Sequence, residues 1–284
     1  MQLRLDHATI CGSNLEAMRR AFCEVGLITT YGGPHANGVT HMDLLPFEDG
    51  SYLELIAPMA PLRGASGMMS GWAKLMEADA GAGAWAVRSF DIHREAARLR
   101  ALKVEVRGPE VGSRKRPDGT ILEWETAIPG PGPAGSVLAF VIQDRTPRSL
   151  RVPVPSADSP GGTLSGVAVV LLGVRELETS AALFRTAYGW DAPLLEQHAE
   201  LAMKIAYFPG TPVMLASPSG NESWLADRIA RLGDCPAAFL LGTSDLVAAK
   251  PQYQLGAADV WFRRDLAWFD ESRLGGIKLA LIAP

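Results

Sequence analysis

The sequence predicts an α+β protein of two halves, each built from two βαβββ units, and three observations predict it. An internal repeat is the first: residues 84 to 92 read Ala-Trp-Ala-Val-Arg-Ser-Phe-Asp-Ile and residues 238 to 246 read Ala-Phe-Leu-Leu-Gly-Thr-Ser-Asp-Leu, each a strand running into an Asp at a helix start. The second is that three strand-like segments close alike, at Glu54-Leu55-Ile56-Ala57-Pro58, Met214-Leu215-Ala216-Ser217-Pro218 and Ala280-Leu281-Ile282-Ala283-Pro284. The third is the stretch Arg151 to Gly162, where Pro153, Pro155, Pro160, Gly161 and Gly162 cannot continue a helix or a central strand. The domains are therefore read as residues 1–148 and 163–284, joined by a linker at 149–162.

Each element follows from local pattern. Leu3 to Ile10 is apolar and β-prone; Ser13-Asn14-Leu15-Glu16 reads as a capping box, Leu15, Met18 and Phe22 recur at helical spacing, and Gly26 supplies a stop. Three strands are expected next, at Leu27 to Tyr31, Gly38 to Phe47 and Ser51 to Ala57, the last two joined by a tight turn at Glu48-Asp49-Gly50. A short helix opens at Ser70-Gly71-Trp72 and another at Glu222-Ser223-Trp224. Residues 84 to 145 repeat the order, with Asp91 as N-cap and Ile92, Ala96, Leu99 and Leu102 as the buried stripe. Residues 164 to 218 repeat it again, with Phe184 and Tyr188 ahead of a stop at Gly189. In the fourth unit Pro251 follows Asp245 closely, so its helix should be short or absent.

Composition narrows the function. The 284 residues suit two domains, and 48% hydrophobic residues are ample for their cores. A net charge of −4 with basic residues scattered, apart from the loop Arg114-Lys115-Arg116, leaves no footprint for nucleic acid or for an anionic membrane. The longest apolar run, Val167 to Leu172, is far short of a membrane span. Cys11, Cys23 and Cys235 form neither a disulfide framework nor a zinc clip, which places the chain in a reducing cytoplasm as a soluble protein, with Cys11 a packing residue.

The chemistry-bearing residues crowd one end. Three of the five histidines, His7, His35 and His41, fall within the first 54 residues beside Glu54, the material of a small divalent-metal site. Tyr52, Glu54 and Ile56 share one face of their strand, and a buried carboxylate there needs a metal, a positive group or water. His41, on the strand expected to hairpin onto that of Glu54, is either a third metal ligand or a histidine that hydrogen-bonds Glu54 or substrate. His35, in the loop Gly32-Gly33-Pro34-His35, is placed at the substrate entrance. Arg88, Gln143 and Glu123 are candidate substrate contacts from the second unit, as is Trp85; Glu123 and Glu125 share one face opposite Trp124. His93 and His198 read as solvated.

Paired βαβββ units with Asp6-His7, Gly32-Gly33-Pro34-His35, Gly38-Val39-Thr40-His41 and Asp49-Gly50-Ser51-Tyr52-Leu53-Glu54-Leu55 resemble the glyoxalase-like domain proteins of the vicinal oxygen chelate superfamily. The resemblance is strong over 3 to 58, fair over 84 to 145, where Glu123-Trp124 and Phe140-Val141-Ile142-Gln143 match, and architectural beyond 163. It implies two cupped barrels and a divalent metal (Zn, Fe, Mn, Ni or Co) held by His7 and Glu54. It also exposes departures. The counterparts of His7 and Glu54 fall near Trp85 or Ala86 and near Phe140 in the second unit, near Gly166 or Val167 and Met214 in the third, and at Ala280 in the fourth. The second half has thus lost its ligands, which argues against extradiol dioxygenase chemistry, since two-barrel enzymes of that kind use the later barrel. The function read from this is a metal-dependent lyase, isomerase, epimerase or ring-opening enzyme on a small oxygenated substrate, with Glu54 and His41 moving protons. The alternative is a non-catalytic protein that sequesters a small molecule. A homodimer is allowed for, since units can be exchanged between chains.

Overall fold

A computed structural model describes residues 3–35, 38–62, 68–116, 118–155 and 164–284, the side chains of 68–70 aside. Half of the predicted linker, from 156 to 162, lies outside the described residues, as do Ala36 and Asn37 of the His35 loop. The first half runs β1 (Leu5–Cys11), α1 (Leu15–Glu24), β2 (Thr30–Pro34), β3 (Thr40–Pro46), β4 (Tyr52–Pro58), α2 (Met68–Glu77), β5 (Gly81–Arg88), α3 (Ile92–Ala101), β6 (Val106–Lys115), β7 (Ile121–Pro129), β8 (Phe140–Asp144) and α4 (Arg148–Arg151). The second runs β9 (Leu164–Gly173), α5 (Leu177–Tyr188), β10 (Leu194–His198), β11 (Met203–Tyr207), β12 (Val213–Pro218), α6 (Trp224–Leu232), β13 (Cys235–Thr243), α7 (Leu246–Gln252), β14 (Ala258–Trp261), β15 (Arg264–Trp268) and β16 (Leu279–Ile282).

Each half forms one 8-stranded sheet, in the order β2-β3-β4-β1-β5-β8-β7-β6 and β10-β11-β12-β9-β13-β16-β15-β14. Within a unit the first and last strands pair parallel, β1 with β4 and β5 with β8, and the two units join through antiparallel β1 and β5. The second sheet repeats this with β9, β12, β13 and β16. The first sheet curls until its edges meet, where His35 at the end of β2 bridges Arg114 on β6. In the second, the Glu196 carboxylate on β10 reaches the Phe262 N–H beyond β14 at 2.9 Å.

Several boundaries differ from expectation for local reasons. Leu27 starts no strand: its N–H goes back to the Phe22 carbonyl at 2.8 Å as α1 unwinds through Gly26 (φ +82°), so β2 begins only at Thr30. The α1 cap is Asn14, which accepts from the Ala17 N–H at 3.0 Å, one residue later than the Ser13 capping box predicts; the Ser13 N–H instead meets Asp79. Leu102 is the C-cap of α3 and is 40% exposed, outside the buried stripe of Ile92, Ala96 and Leu99. The α7 helix is 7 residues long and contains Pro251. The halves share one apolar core, in which the Trp85 ring stacks on Phe184 of α5. Arg228 of α6 clasps the seam by donating to the carbonyls of Ala80 and Ala82.

Candidate active site in the first cup

The strands of the first sheet place a cavity inside its curl. It is lined by His7 of β1, His35 beyond β2, Met42 and Leu44 of β3, Tyr52 and Glu54 of β4, Trp72 of α2, Arg114 of β6, Trp124 and Thr126 of β7, Phe140 and Ile142 of β8, and Arg151 of α4. The space open to the centre of a water-sized sphere is about 90 Å³, enough for a small molecule rather than a single water. Period two explains the selection: every strand that contributes two residues contributes them at i and i+2.

At its polar end two imidazoles face one carboxylate. His7 Nε2 lies 3.8 Å from Glu54 Oε2, and His35 Nε2 lies 3.8 Å from Glu54 Oε1, so each ring addresses a different oxygen. Neither distance is a hydrogen bond. Each ring is oriented through its other nitrogen, His7 Nδ1 by Asp6 Oδ1 at 2.7 Å and His35 Nδ1 by Thr40 Oγ1 at 2.9 Å. The Thr9 hydroxyl donates to Glu54 Oε2 at 3.3 Å. The Tyr52 ring stacks on His7 with centroids 4.7 Å apart, and Phe140 meets the same imidazole edge-on.

Behind His7 stands a charged scaffold. Asp6 is wholly buried and receives Arg151 Nη1 and Nη2 at 3.0 Å each; Arg148 also bonds it, and Arg88 Nε lies 3.5 Å away. Burial by itself would raise this carboxyl, but Arg151 and the His7 ring outweigh it and hold Asp6 well below the usual carboxylate range. Burial pushes the His35 imidazole below its ordinary value against the pull of Glu54, and Arg114 adds to the shift, so the ring favours its neutral form. Burial also pushes the Tyr52 phenol up, which keeps it protonated and unsuited to act as a base.

The same parity removes several expected residues from the cavity. Strand β3 pairs Leu44 with Glu54 and Met42 with Ile56, so Met42 and Leu44 face the cavity while His41, opposite Ala57, points the other way, edge-on to Tyr31. His41 is therefore placed neither to ligate a metal beside Glu54 nor to move a proton there. On β7, Trp124 faces in, and Glu123 and Glu125 face out, Glu125 meeting His93 and Arg145. On β8, Phe140 and Ile142 face in, whereas Gln143 turns away and accepts the Ile92 N–H of α3 at 2.7 Å. Trp85 is buried between the halves with its indole N–H on the Val137 carbonyl. Arg88 lies behind the site, its Nη2 on the Leu5 carbonyl. His7, His35, Tyr52 and Glu54 are brought together. Arg114 and Arg151 were legible only as part of a charged loop and as the start of a linker, and Arg151 belongs structurally to the first half, beyond the boundary drawn at 148.

Register also refines the counterparts of the site. His7 pairs with Tyr52 and Ala86 with Phe140, so the position matching Glu54, two residues on, is Ile142 rather than Phe140. Across the antiparallel joints, His7 pairs with Ala86 and Val169 with Leu240, which puts Val169, not Gly166 or Val167, where His7 would be.

Among the described residues no group of three or more His, Cys, Asp or Glu side chains stands close enough to hold a metal ion as the side chains lie. The donor set of the cavity nevertheless fits a divalent ion. Two Nε2 atoms and a carboxylate are the ligand types of the 2-His-1-carboxylate class, and a 3.8 Å gap lies within the roughly 4 Å that two ligands of one ion span. With its Nδ1 held by Asp6, the His7 ring presents Nε2 to Glu54 across a gap too long for a hydrogen bond, and a cation would fill that gap.

Two βαβββ units joined in this strand order around such a cavity define a vicinal oxygen chelate fold. The chain belongs to the glyoxalase-like domain family, whose model matches residues 5–188. No protein of curated function matches the chain significantly. Among solved structures, a triple mutant of 4-hydroxymandelate synthase from Streptomyces coelicolor is similar with a TM-score of 0.66 and 11% identity, over 99% of this chain and 92% of that one. A hypothetical protein from Staphylococcus aureus has a TM-score of 0.64 and 12% identity, over 99% and 100%. Methylmalonyl-CoA epimerase from Mycobacterium tuberculosis matches 43% of this chain and 89% of its own, with a TM-score of 0.38 and 17% identity. At these identities the likeness is one of fold. Among the described residues no helix is long and apolar enough to cross a membrane.

Proposed function

We propose that the first cup is the active site of a metal-dependent enzyme of lyase, isomerase, epimerase or ring-opening type that acts on a small oxygenated molecule. The observation that carries this reading is the approach of His7 and His35, each through Nε2, to the two separate oxygens of Glu54 inside one cavity. His7, His35 and Glu54 would hold the ion, His35 taking the place that sequence spacing offered to His41. Bound there, a divalent metal supplies Lewis acidity toward oxygens of the substrate. The chain's own contribution is orientation and proton transfer. Asp6 fixes the His7 ring, Thr40 fixes the His35 ring, and Glu54 stands within the cavity to take or return a proton beside a carbonyl through an oxygen the ion leaves free. The apolar wall of Trp72, Trp124 and Phe140 keeps bulk water from that step. Cysteines that are all unpaired support a reducing cytoplasm as the setting.

Metal content measured in untagged protein tests the reading. Stoichiometric metal that is lost in His7→Ala, His35→Ala and Glu54→Ala and kept in His41→Ala is the expected result. A second reading, a binding protein that sequesters its ligand without turnover, is favoured by the second unit, which presents the apolar Phe140 and Ile142 where the first presents Tyr52 and Glu54. A parent protein that takes up no metal while still holding a ligand in the cavity would establish that reading instead.

A further inference from the structure

Two guanidinium groups line the first cup, and their surroundings differ. Arg151 spends all five of its N–H groups: Nε and Nη2 on Asp144 at 2.5 and 2.9 Å, Nη1 and Nη2 on Asp6 at 3.0 Å each, and Nη1 on the Tyr52 hydroxyl at 2.8 Å. Its charge is neutralised by two carboxylates. Arg114 is as deeply buried, 4% exposed, yet the acceptors of its guanidinium are main-chain carbonyls, those of Gly32 and of Arg151. Among the described residues it forms no ion pair. The chain also makes room for it. A Cβ at Gly32 would come within 3.2 Å of Arg114 Nη1 and 3.0 Å of Met42 Cγ, so a side chain there would crowd the guanidinium where it lies against β2.

A buried cation that faces a cavity without a counter-ion is costly unless a ligand supplies the opposite charge. Glu54 shares the cavity but lies beyond ion-pair distance, and it already faces the two histidines. We propose that the ligand of this cavity is a small carboxylate, its anionic end paired with Arg114 beside His35 and its apolar body lying on Trp72, Trp124 and Phe140. One planar fork suits one planar carboxylate. The volume of about 90 Å³ suits a small acid. The inference rests on the reading of this cavity as the ligand site and names the class of molecule it takes, whether or not a metal is bound.

The test uses the full-length protein, as isolated and after chelator treatment. Acetate, propionate, butyrate and benzoate are titrated against the amide of each, read by calorimetry and by the fluorescence of the cavity tryptophans. At least one acid should bind saturably and its amide should bind about 10- to 100-fold more weakly, the worth of a hydrogen-bonded charge. Arg114→Gln should abolish that preference and Arg114→Lys should keep part of it, with circular dichroism confirming the fold of both. Should Arg114→Gln fail to fold, the acid-to-amide ratio in the parent and in Arg114→Lys decides. Acids and amides that bind alike, no acid that binds, or a preference that survives in Arg114→Gln overturns the proposal. A preference for acids in a protein whose His7 and Glu54 hold no metal would sink the metal reading and leave this one standing; metal held by those residues with no acid preference would do the reverse.

Discussion

The two cups are built on one strand order and filled in opposite ways. In the first, β1 and β4 turn His7, Tyr52 and Glu54 inward around a cavity. In the second, the corresponding strands present Val169 on β9 and Met214 on β12, both fully buried in a cluster with Leu240, Ala280, Trp261 and Ile282. The curvature of the sheet therefore creates a concave face without deciding its use: apolar side chains turn it into core, and a supported polar cluster turns it into a site. Support is the costly part. Asp6, which anchors His7, is itself held by Arg148 and Arg151, while its counterpart in the second half is Ala168, one residue before Val169. A cup that has given up its ligands has no use for the arginines behind them.

Swapping the two interiors is the sharpest way to break this contrast. Met214→Glu places a carboxyl in a packed apolar cluster with no partner and should cost about 5 kcal/mol, enough to unfold a marginal domain, whereas Glu54→Met should cost less than about 1 kcal/mol and abolish metal uptake. Denaturant melts with metal analysis read both. Equal costs for the two would show that the cups do not differ as described. Next in size is Asp6→Asn, which leaves buried guanidinium groups short of a counter-ion and should cost about 3–5 kcal/mol in the same melts.

A smaller effect is set by pH. Because burial holds the His35 pKa below its unfolded value of roughly 6.5, the unfolded chain binds the extra proton first as acid is added. That contribution to stability is fully present above the unfolded value and is lost as pH falls from there toward the folded pKa. His35→Gln should flatten the decline in that window, and an unchanged slope in urea melts across pH would contradict the buried neutral ring. The least of the effects compares helix caps in the two halves. Asp91 and Asp245 accept from Arg94 N–H and Ala248 N–H at 2.9 Å each, so alanine at either should cost about 1 kcal/mol, the loss at the shorter α7 being the smaller if that helix frays.

Much of the architecture was legible because repetition needs no register: the closing strands, the cap at Asp91, the helix opening at Glu222-Ser223-Trp224 and the shortened α7 all follow from local pattern. The site was legible where the argument stayed on one strand, as for Tyr52 and Glu54. It failed where two strands had to be aligned, since a slip of one residue sends a side chain to the opposite face. His41 is such a case, as Leu44, not His41, stands across from Glu54. Trp85 lies on the face of β5 that the second half covers, a fact no local pattern carries. Arg114 escaped because its value lies in what surrounds it, two carbonyls and no carboxylate among the described residues, and sequence shows only a basic triplet.

The helical turn α4 closes a loop through space that runs from the last strand of the first half to its first. Arg148 and Arg151 leave β8, cross behind the cup and fasten Asp6 at the beginning of the chain. A fragment ending at Asp144 would keep all eight strands of the sheet and lose the clamp that aims His7. The clamp that aims the imidazole therefore ends at Arg151, seven residues past the final strand.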